Sequence, residues 1–168
     1  ASASGGQSPY QFRWGVRRGG VWTVGNWSSS NAFAWTPTLS GTDYQVRVEV
    51  RGSWNTAGAA ESTASVTYPI MPVATAATVT PNLSSPRAPG TTIRWTASAS
   101  GGQAPYQYRW AVWNGSTWTT VSAWSTSNGF DWTPTVANAN YKVAVVVRSA
   151  WNTSGQAEFT AIQPFVIQ

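Results

Sequence analysis

Apolar and polar residues alternate with a period of two along most of this chain, and no stretch carries a helical period. Ile93, Trp95 and Ala97 alternate with Thr92, Arg94 and Thr96. Tyr106, Tyr108 and Trp110 alternate with Gln107 and Arg109, and Phe130 and Trp132 flank Asp131. Tyr141, Val143, Val145 and Val147 share one face of a further strand. Turn residues separate these runs at Pro89-Gly90, Gly101-Gly102, Asn114-Gly115, Thr133-Pro134 and between Asn152 and Gly155. Several short strands at this spacing predict an all-β sandwich or barrel.

The pattern occurs twice. ASASGGQSPYQFRW at residues 1–14 returns as ASASGGQAPYQYRW at 97–110, and WSSSNAFAWTPT from Trp27 returns as WSTSNGFDWTPT from Trp124. YQVRVEVRGSWNTAG from Tyr44 returns as YKVAVVVRSAWNTSG from Tyr141. The shift grows from 96 to 97 residues, so one residue is inserted in a loop of the second copy. A repeat of this length fits one β-sandwich domain. We therefore expect two tandem immunoglobulin-like β-sandwiches, residues 1–72 and 73–168. Trp14 and Trp110 are expected as the buried Trp of strand C, with Trp35, Trp132 and Trp95 also on inner faces. Tyr44 and Tyr141 follow a polar turn and open the most apolar strand, where a tyrosine corner belongs.

The copies are unequal. The second has a strand A around Thr78–Thr80 and a strand B from Thr91 to Ala99, whereas the first begins at the equivalent of Ala97. Repeat 1 is expected to lack its opening strands, leaving unpaired backbone and an open core. Three accounts fit: a fragment of a longer array, a strand donated by a neighbouring molecule, or a rearranged repeat 1. The chain opens abruptly at Ala1, so any leader is expected to have been removed.

Composition narrows the chemistry. The 12 Trp, 6 Tyr and 5 Phe speak against disorder. There is no Cys and no His, and no apolar run long enough for a membrane helix, so no membrane insertion is expected. The net charge of +5 invites a nucleic-acid reading, but the cations are scattered and only Arg17-Arg18 are adjacent. The five carboxylates are Asp43, Glu49, Glu61, Asp131 and Glu158, and only Glu61 and Glu158 recur between copies. This set is too sparse for paired-acid catalysis or a calcium site, so no enzyme activity, cofactor or metal is expected. Glu61 and Glu158 are expected to form cross-strand ion pairs with Arg51 and Arg148.

Two sets of outward residues are candidate sites. Trp54 and Trp151 sit in a loop after the Val-rich strand, at a sandwich tip where binding residues often lie. Trp113, Ala111, Ala144 and Val146 fall on the outer faces of strands C and F and form an expected apolar contact surface. Repeat 1 has Arg17, Gly15, Arg47 and Glu49 at those positions. Trp22, Trp118, Trp27 and Trp124 are expected at a core edge, with a ligand site as the alternative, and Trp27 and Trp124 are expected to close one end of the sandwich.

The segments GGQxPYQ[FY]RW, WSxSNxFxWTPT and YxVxVxVR resemble immunoglobulin-like repeats of large secreted bacterial proteins, related to polycystic-kidney-disease-like and three-tyrosine modules. The resemblance covers nearly the whole chain. It places Tyr10, Trp14, Trp35 and Tyr44, with Tyr106, Trp110, Trp132 and Tyr141, at framework positions. Where polycystic-kidney-disease-like domains have a WDFGDG-type turn, this chain has RWGVRRGG and RWAVWNGS, so no calcium role carries over. The resemblance implies a non-catalytic, extracellular or cell-surface module with a structural, spacer or adhesive role. Its partners would be other copies or neighbouring modules of the same array, through strand donation or module contacts that build fibres. A carbohydrate-binding module that uses exposed Trp on extracellular polysaccharide is the alternative.

Overall fold

A computed structural model describes all residues, Ala1–Gln168. The chain is all-β and divides into two compact units, Ala1–Met71 and Pro72–Gln168, called repeat 1 and repeat 2 below. Repeat 1 contains β1 (Tyr10–Arg18), β2 (Val21–Val24), β3 (Gln45–Gly52) and β4 (Ser62–Thr67). Repeat 2 contains β5 (Ala74–Pro81), β6 (Ile93–Gly101), β7 (Tyr106–Trp113), β8 (Trp118–Thr120), β9 (Gly129–Trp132), β10 (Asn138–Ser149) and β11 (Phe159–Ile167). Every pairing between these strands is antiparallel.

Repeat 2 is a sandwich of two sheets, β11-β10-β7-β8 and β5-β6-β9. That is the strand order of an immunoglobulin-like sandwich, with G-F-C-C′ facing A-B-E. Register explains how the inner faces meet. Tyr108, Trp110 and Val112 of β7 lie opposite Val147, Val145 and Val143 of β10, so all six point to one side. Ile93, Trp95 and Ala97 of β6 supply the other side, and all of these residues are buried. Trp95 meets Phe165 edge-on with ring centroids 5.5 Å apart, and Trp132 stands edge-on to both Tyr141 and Phe165. Phe165 and Ile167 close the bottom of the core. β5 pairs with β6 and also packs against β11, which seals one edge between the sheets.

Repeat 1 has one sheet, β2-β1-β3-β4, the counterpart of β8-β7-β10-β11. As expected, residues 1–71 hold no counterpart of β5 or of most of β6, and no second sheet forms among them. With strand B absent, Phe33 and Trp35, which match Phe130 and Trp132 of β9, have no partner strand and remain a loop. The consequence is exposure. Tyr68 is 56% exposed, while its equivalent Phe165 is 1% exposed. Trp14, expected to be buried like Trp110, is only half-buried, as are Val46, Val48 and Val50. Only Phe12 and Tyr44 are buried among the large apolar side chains of repeat 1.

The aromatic frame survives this loss. Trp14 stacks on Phe33 at 5.5 Å as Trp110 stacks on Phe130 at 5.5 Å. Trp35 meets Tyr44 at 5.1 Å as Trp132 meets Tyr141 at 5.0 Å. The tyrosine corner is present at Tyr44, whose hydroxyl donates to the Leu39 carbonyl at 3.1 Å. At Tyr141 the expectation needs correction. Its three preceding residues belong to β10, no hydrogen bond from its hydroxyl to the loop forms, and the ring stands edge-on to Trp132.

The two repeats should therefore unfold unequally. Trp95→Ala removes the largest fully buried side chain and should cost repeat 2 about 3–5 kcal/mol. Segment-resolved amide exchange should show β7 and β10 losing protection while β1 and β3 exchange as before. Equal losses in both repeats would mean that they share one folding unit.

Candidate functional site

The five carboxylates are drawn into backbone and arginine contacts. Glu158 lies just before β11, and its Oε2 accepts hydrogen bonds from the Ala74 N–H at 2.7 Å and from the Ser149 N–H and hydroxyl, both at 3.0 Å. Its Oε1 accepts from the Asn152 amide at 3.0 Å. One side chain thus ties the start of β5, the end of β10 and the following loop. Glu61 does the same in repeat 1 with fewer partners, accepting from the Gly52 N–H at 3.1 Å and the Asn55 amide at 2.8 Å. The expected ion pairs with Arg51 and Arg148 do not form. The glutamates fold back onto unpaired strand-end N–H groups, which offer several fixed donors at close range. Asp43 accepts from the Gly19 N–H, and Asp131 pairs with Arg94 at 2.7 Å on an exposed edge. Glu49 is buried on the outer face of repeat 1 between Arg13 and Arg47. No three acidic side chains come together.

The arginines have a recurrent use. Arg13 and Arg51 lie over Trp27 at 4.7 and 4.4 Å, and Arg109 and Arg148 lie over Trp124 at 4.8 and 4.3 Å. Arg51 and Arg148 also donate to Gln11 and Gln107. The indole N–H of Trp27 and of Trp124 has no protein hydrogen-bond partner, and two guanidiniums flank each ring in a cation–π arrangement. Trp27 and Trp124 therefore lie on the outer face of the four-stranded sheet rather than closing an end of the sandwich. The neighbouring residues Ser28 and Ser125 bridge to Phe12 and Tyr108, which carries each Trp alongside strand C with its side chain outward.

The expected contact surface of Trp113, Ala111, Ala144 and Val146 does share one sheet face. Ala111 lies opposite Ala144, and Val146 opposite Arg109. It is less exposed than the alternation implied. Ala144 is buried, and Ala111, Trp113 and Val146 are half-buried, because larger neighbours on the flanking strands lean over them. Those neighbours are Trp118 on β8, 5.5 Å from Trp113 and tilted 48°, and Ile162 on β11, directly across from Ala144. Trp118 is 44% and Ile162 51% exposed, so they carry most of the accessible apolar surface. A shallow groove of about 250 Å³ runs between them over Ala111, Ala144 and Val146. Ile162 was not singled out from sequence, although the alternation of β11, with Ala161 and Phe165 inward, places it outward. In repeat 1 the same face is polar, with Arg47 over Trp22 at 4.2 Å and the Arg13–Glu49–Arg47 cluster beside it.

The two tip-loop tryptophans separate. Trp151 donates its indole N–H to the Pro72 carbonyl at 3.0 Å and so covers the entry to β5. Trp54 is 61% exposed against 38% for Trp151, and its ring lies back over Gly52, where a Cβ would sit 2.3 Å from its Nε1. Trp151 is a structural clasp, whereas Trp54 remains open.

Burial acts to raise the Glu158 carboxyl, but the hydrogen bonds from Ala74, Asn152 and Ser149 outweigh it and hold the group below its ordinary 4.5. A carboxyl depressed by folding stabilises the folded state above its unfolded value, and that contribution is lost as pH falls through the folded value. Repeat 2 should thus lose stability progressively as pH drops below about 4.5. Glu158→Gln should flatten this dependence, read as the unfolding midpoint in denaturant at several pH values. Glu158→Ala leaves the Ala74 and Ser149 N–H groups without that acceptor and should cost about 2 kcal/mol at neutral pH. No protein-family model and no curated protein matches the chain.

Proposed function

We propose that this chain is a non-catalytic, extracellular structural module, a spacer or adhesive unit within an array of like immunoglobulin-like modules. One observation carries the reading. The carboxylates and most arginines are spent on holding strand ends and sheet faces, and two of these devices recur in both repeats. Glu61 and Glu158 bind strand-end N–H groups, and paired arginines stack on Trp27 and Trp124. A general acid or nucleophile needs freedom to exchange a proton with substrate, and Glu158 is instead saturated by four donors. The resemblance to repeats of secreted bacterial proteins supports an extracellular or cell-surface setting, and makes neighbouring modules or other copies the natural partners. The stacked and ion-paired arginines also weaken a nucleic-acid reading, since their guanidiniums already have partners.

Carbohydrate binding is the second reading, and the Trp118–Trp113 pair beside the groove of repeat 2 favours it. Its weak point is the 48° tilt between the rings, which denies a pyranose ring a two-ring platform. Polysaccharide pull-down with the intact chain, Trp118→Ala and Trp54→Ala decides between them. The structural reading expects no retention above background for any of the three. Retention of the intact chain that drops at least tenfold in either variant would replace it with the carbohydrate reading.

A further inference from the structure

The outer faces of the two four-stranded sheets carry the same arginine in two chemical settings. In repeat 1, Arg13 sits over Trp27 at 4.7 Å and donates through Nε to the Glu49 carboxylate at 2.6 Å. Arg47 approaches the other oxygen of Glu49 at 2.8 Å, so this buried carboxylate lies between two guanidiniums. In repeat 2, Arg109 keeps the stacked position, over Trp124 at 4.8 Å. Val146 stands where Glu49 stands in repeat 1, and Ala144 where Arg47 stands. The ion pairs of the chain are Arg13–Glu49, Arg47–Glu49 and Arg94–Asp131, so Arg109 has no carboxylate partner. Stacking on an indole ring positions a guanidinium but gives its N–H groups no carboxylate oxygen.

Arg109 forms one wall of the groove of about 250 Å³ in repeat 2. Ala111, Ala144 and Val146 make its floor, and the exposed Trp118 and Ile162 stand at its sides. The register fixes the spacing of these groups. Ala111 lies opposite Ala144, which lies opposite Ile162. Two residues along the same face in one direction, Arg109 lies opposite Val146, and two residues in the other, Trp113 lies opposite Lys142. Lys142 is exposed and also has no carboxylate partner. An apolar row thus separates two rows that each carry a cation, with about 7 Å between successive rows on a strand.

We propose that this groove docks an extended polypeptide segment of a partner protein, in which one aliphatic side chain stands between two carboxylates in the pattern acidic-x-aliphatic-x-acidic. The aliphatic side chain covers Ala111 and Ala144, between Trp118 and Ile162. One carboxylate reaches Arg109 as Glu49 reaches Arg13, and the other reaches Lys142. Alternate residues of an extended segment project to one side at the spacing of the rows beneath them. Charge selects the partner, because a chain of net charge +5 attracts acidic surfaces and repels copies of itself. A second copy also has no carboxylate to offer. Its Glu49 and Asp131 are ion-paired, and Asp43, Glu61 and Glu158 are held by backbone N–H groups. An acidic polysaccharide fits less well, since the floor is aliphatic and the only hydroxyls lining the groove are those of Thr120 and Thr160. The inference rests on reading the chain as a non-catalytic adhesive module, and it names the chemistry to which such a module adheres.

The test titrates the full chain with an acetylated, amidated peptide of sequence Thr-Glu-Thr-Leu-Thr-Glu-Thr, followed by backbone amide NMR shifts. The expected result is saturable binding with shifts confined to β7, β8, β10 and β11. Affinity should fall about tenfold or more when both peptide Glu are replaced by Gln, when its Leu is replaced by Thr, or when the protein carries Arg109→Gln. Val146→Glu gives Arg109 an internal carboxylate, as Glu49 does for Arg13, and should abolish binding while the amide shifts of β6 show repeat 2 still folded. The proposal is overturned if no saturable shift appears, or if the uncharged peptide binds equally well. Binding undiminished by both Arg109→Gln and Val146→Glu also overturns it, as do tighter binding of an oligogalacturonate in the groove and shifts centred on repeat 1. A silent peptide titration leaves the outcome of the polysaccharide pull-down unchanged, so failure here and failure of the structural reading stay distinguishable.

Discussion

A β-sheet with one apolar face removes that face from water only when a second layer covers it, and in repeat 2 the cover is a second sheet built around Trp95. Burial of apolar surface is the main favourable term in folding and is roughly proportional to the area removed from water. In repeat 2, Ile93, Trp95 and Ala97 remove the inner faces of β7 and β10 from water almost completely. In repeat 1 the same four-stranded sheet has the same register, so the strand pairing is alike with and without the cover. What depends on it is burial and the conversion of the Phe33–Trp35 segment into a strand, which needs β6 beside it.

The recurrent polar contacts serve the same end. Unpaired N–H groups at the ends of β3 and β10 need an acceptor, and Glu61 and Glu158 supply it. In repeat 2 the same carboxylate also receives the first N–H of β5, so the edge strand is anchored by the residue that finishes β10. On the opposite face arginine guanidiniums sit over Trp27 or Trp124, which shields part of the outer side without a third layer. Few charges suffice because most of them act at defined contacts rather than as a solvated coat.

The repeats diverge where no shared packing constrains them. Glu49 and Arg47 in one copy correspond to Val146 and Ala144 in the other, a buried ion cluster against an apolar groove on the same sheet face. An outer face can change its chemistry while the inner face keeps its fit, since residues alternate sides along each strand. This separates the part of the module that specifies the fold from the part free to specify a partner.

The sequence by itself determined the all-β class, the duplication and the inner-face residues of the strands in repeat 2. Strand alternation and turn residues are local signals, and the internal repeat made each visible twice. The tertiary structure decided which of the outward residues are accessible. Ala144 is buried by neighbours on other strands, while Trp118 and Ile162 stand out, and alternation along one strand cannot report what leans over from the next. It also decided the partners of Glu61 and Glu158, because a strand-end N–H carries no signature in the sequence. Trp54 and Trp151 look alike as residues in a loop and differ in the structure, since only Trp151 has the Pro72 carbonyl to bind.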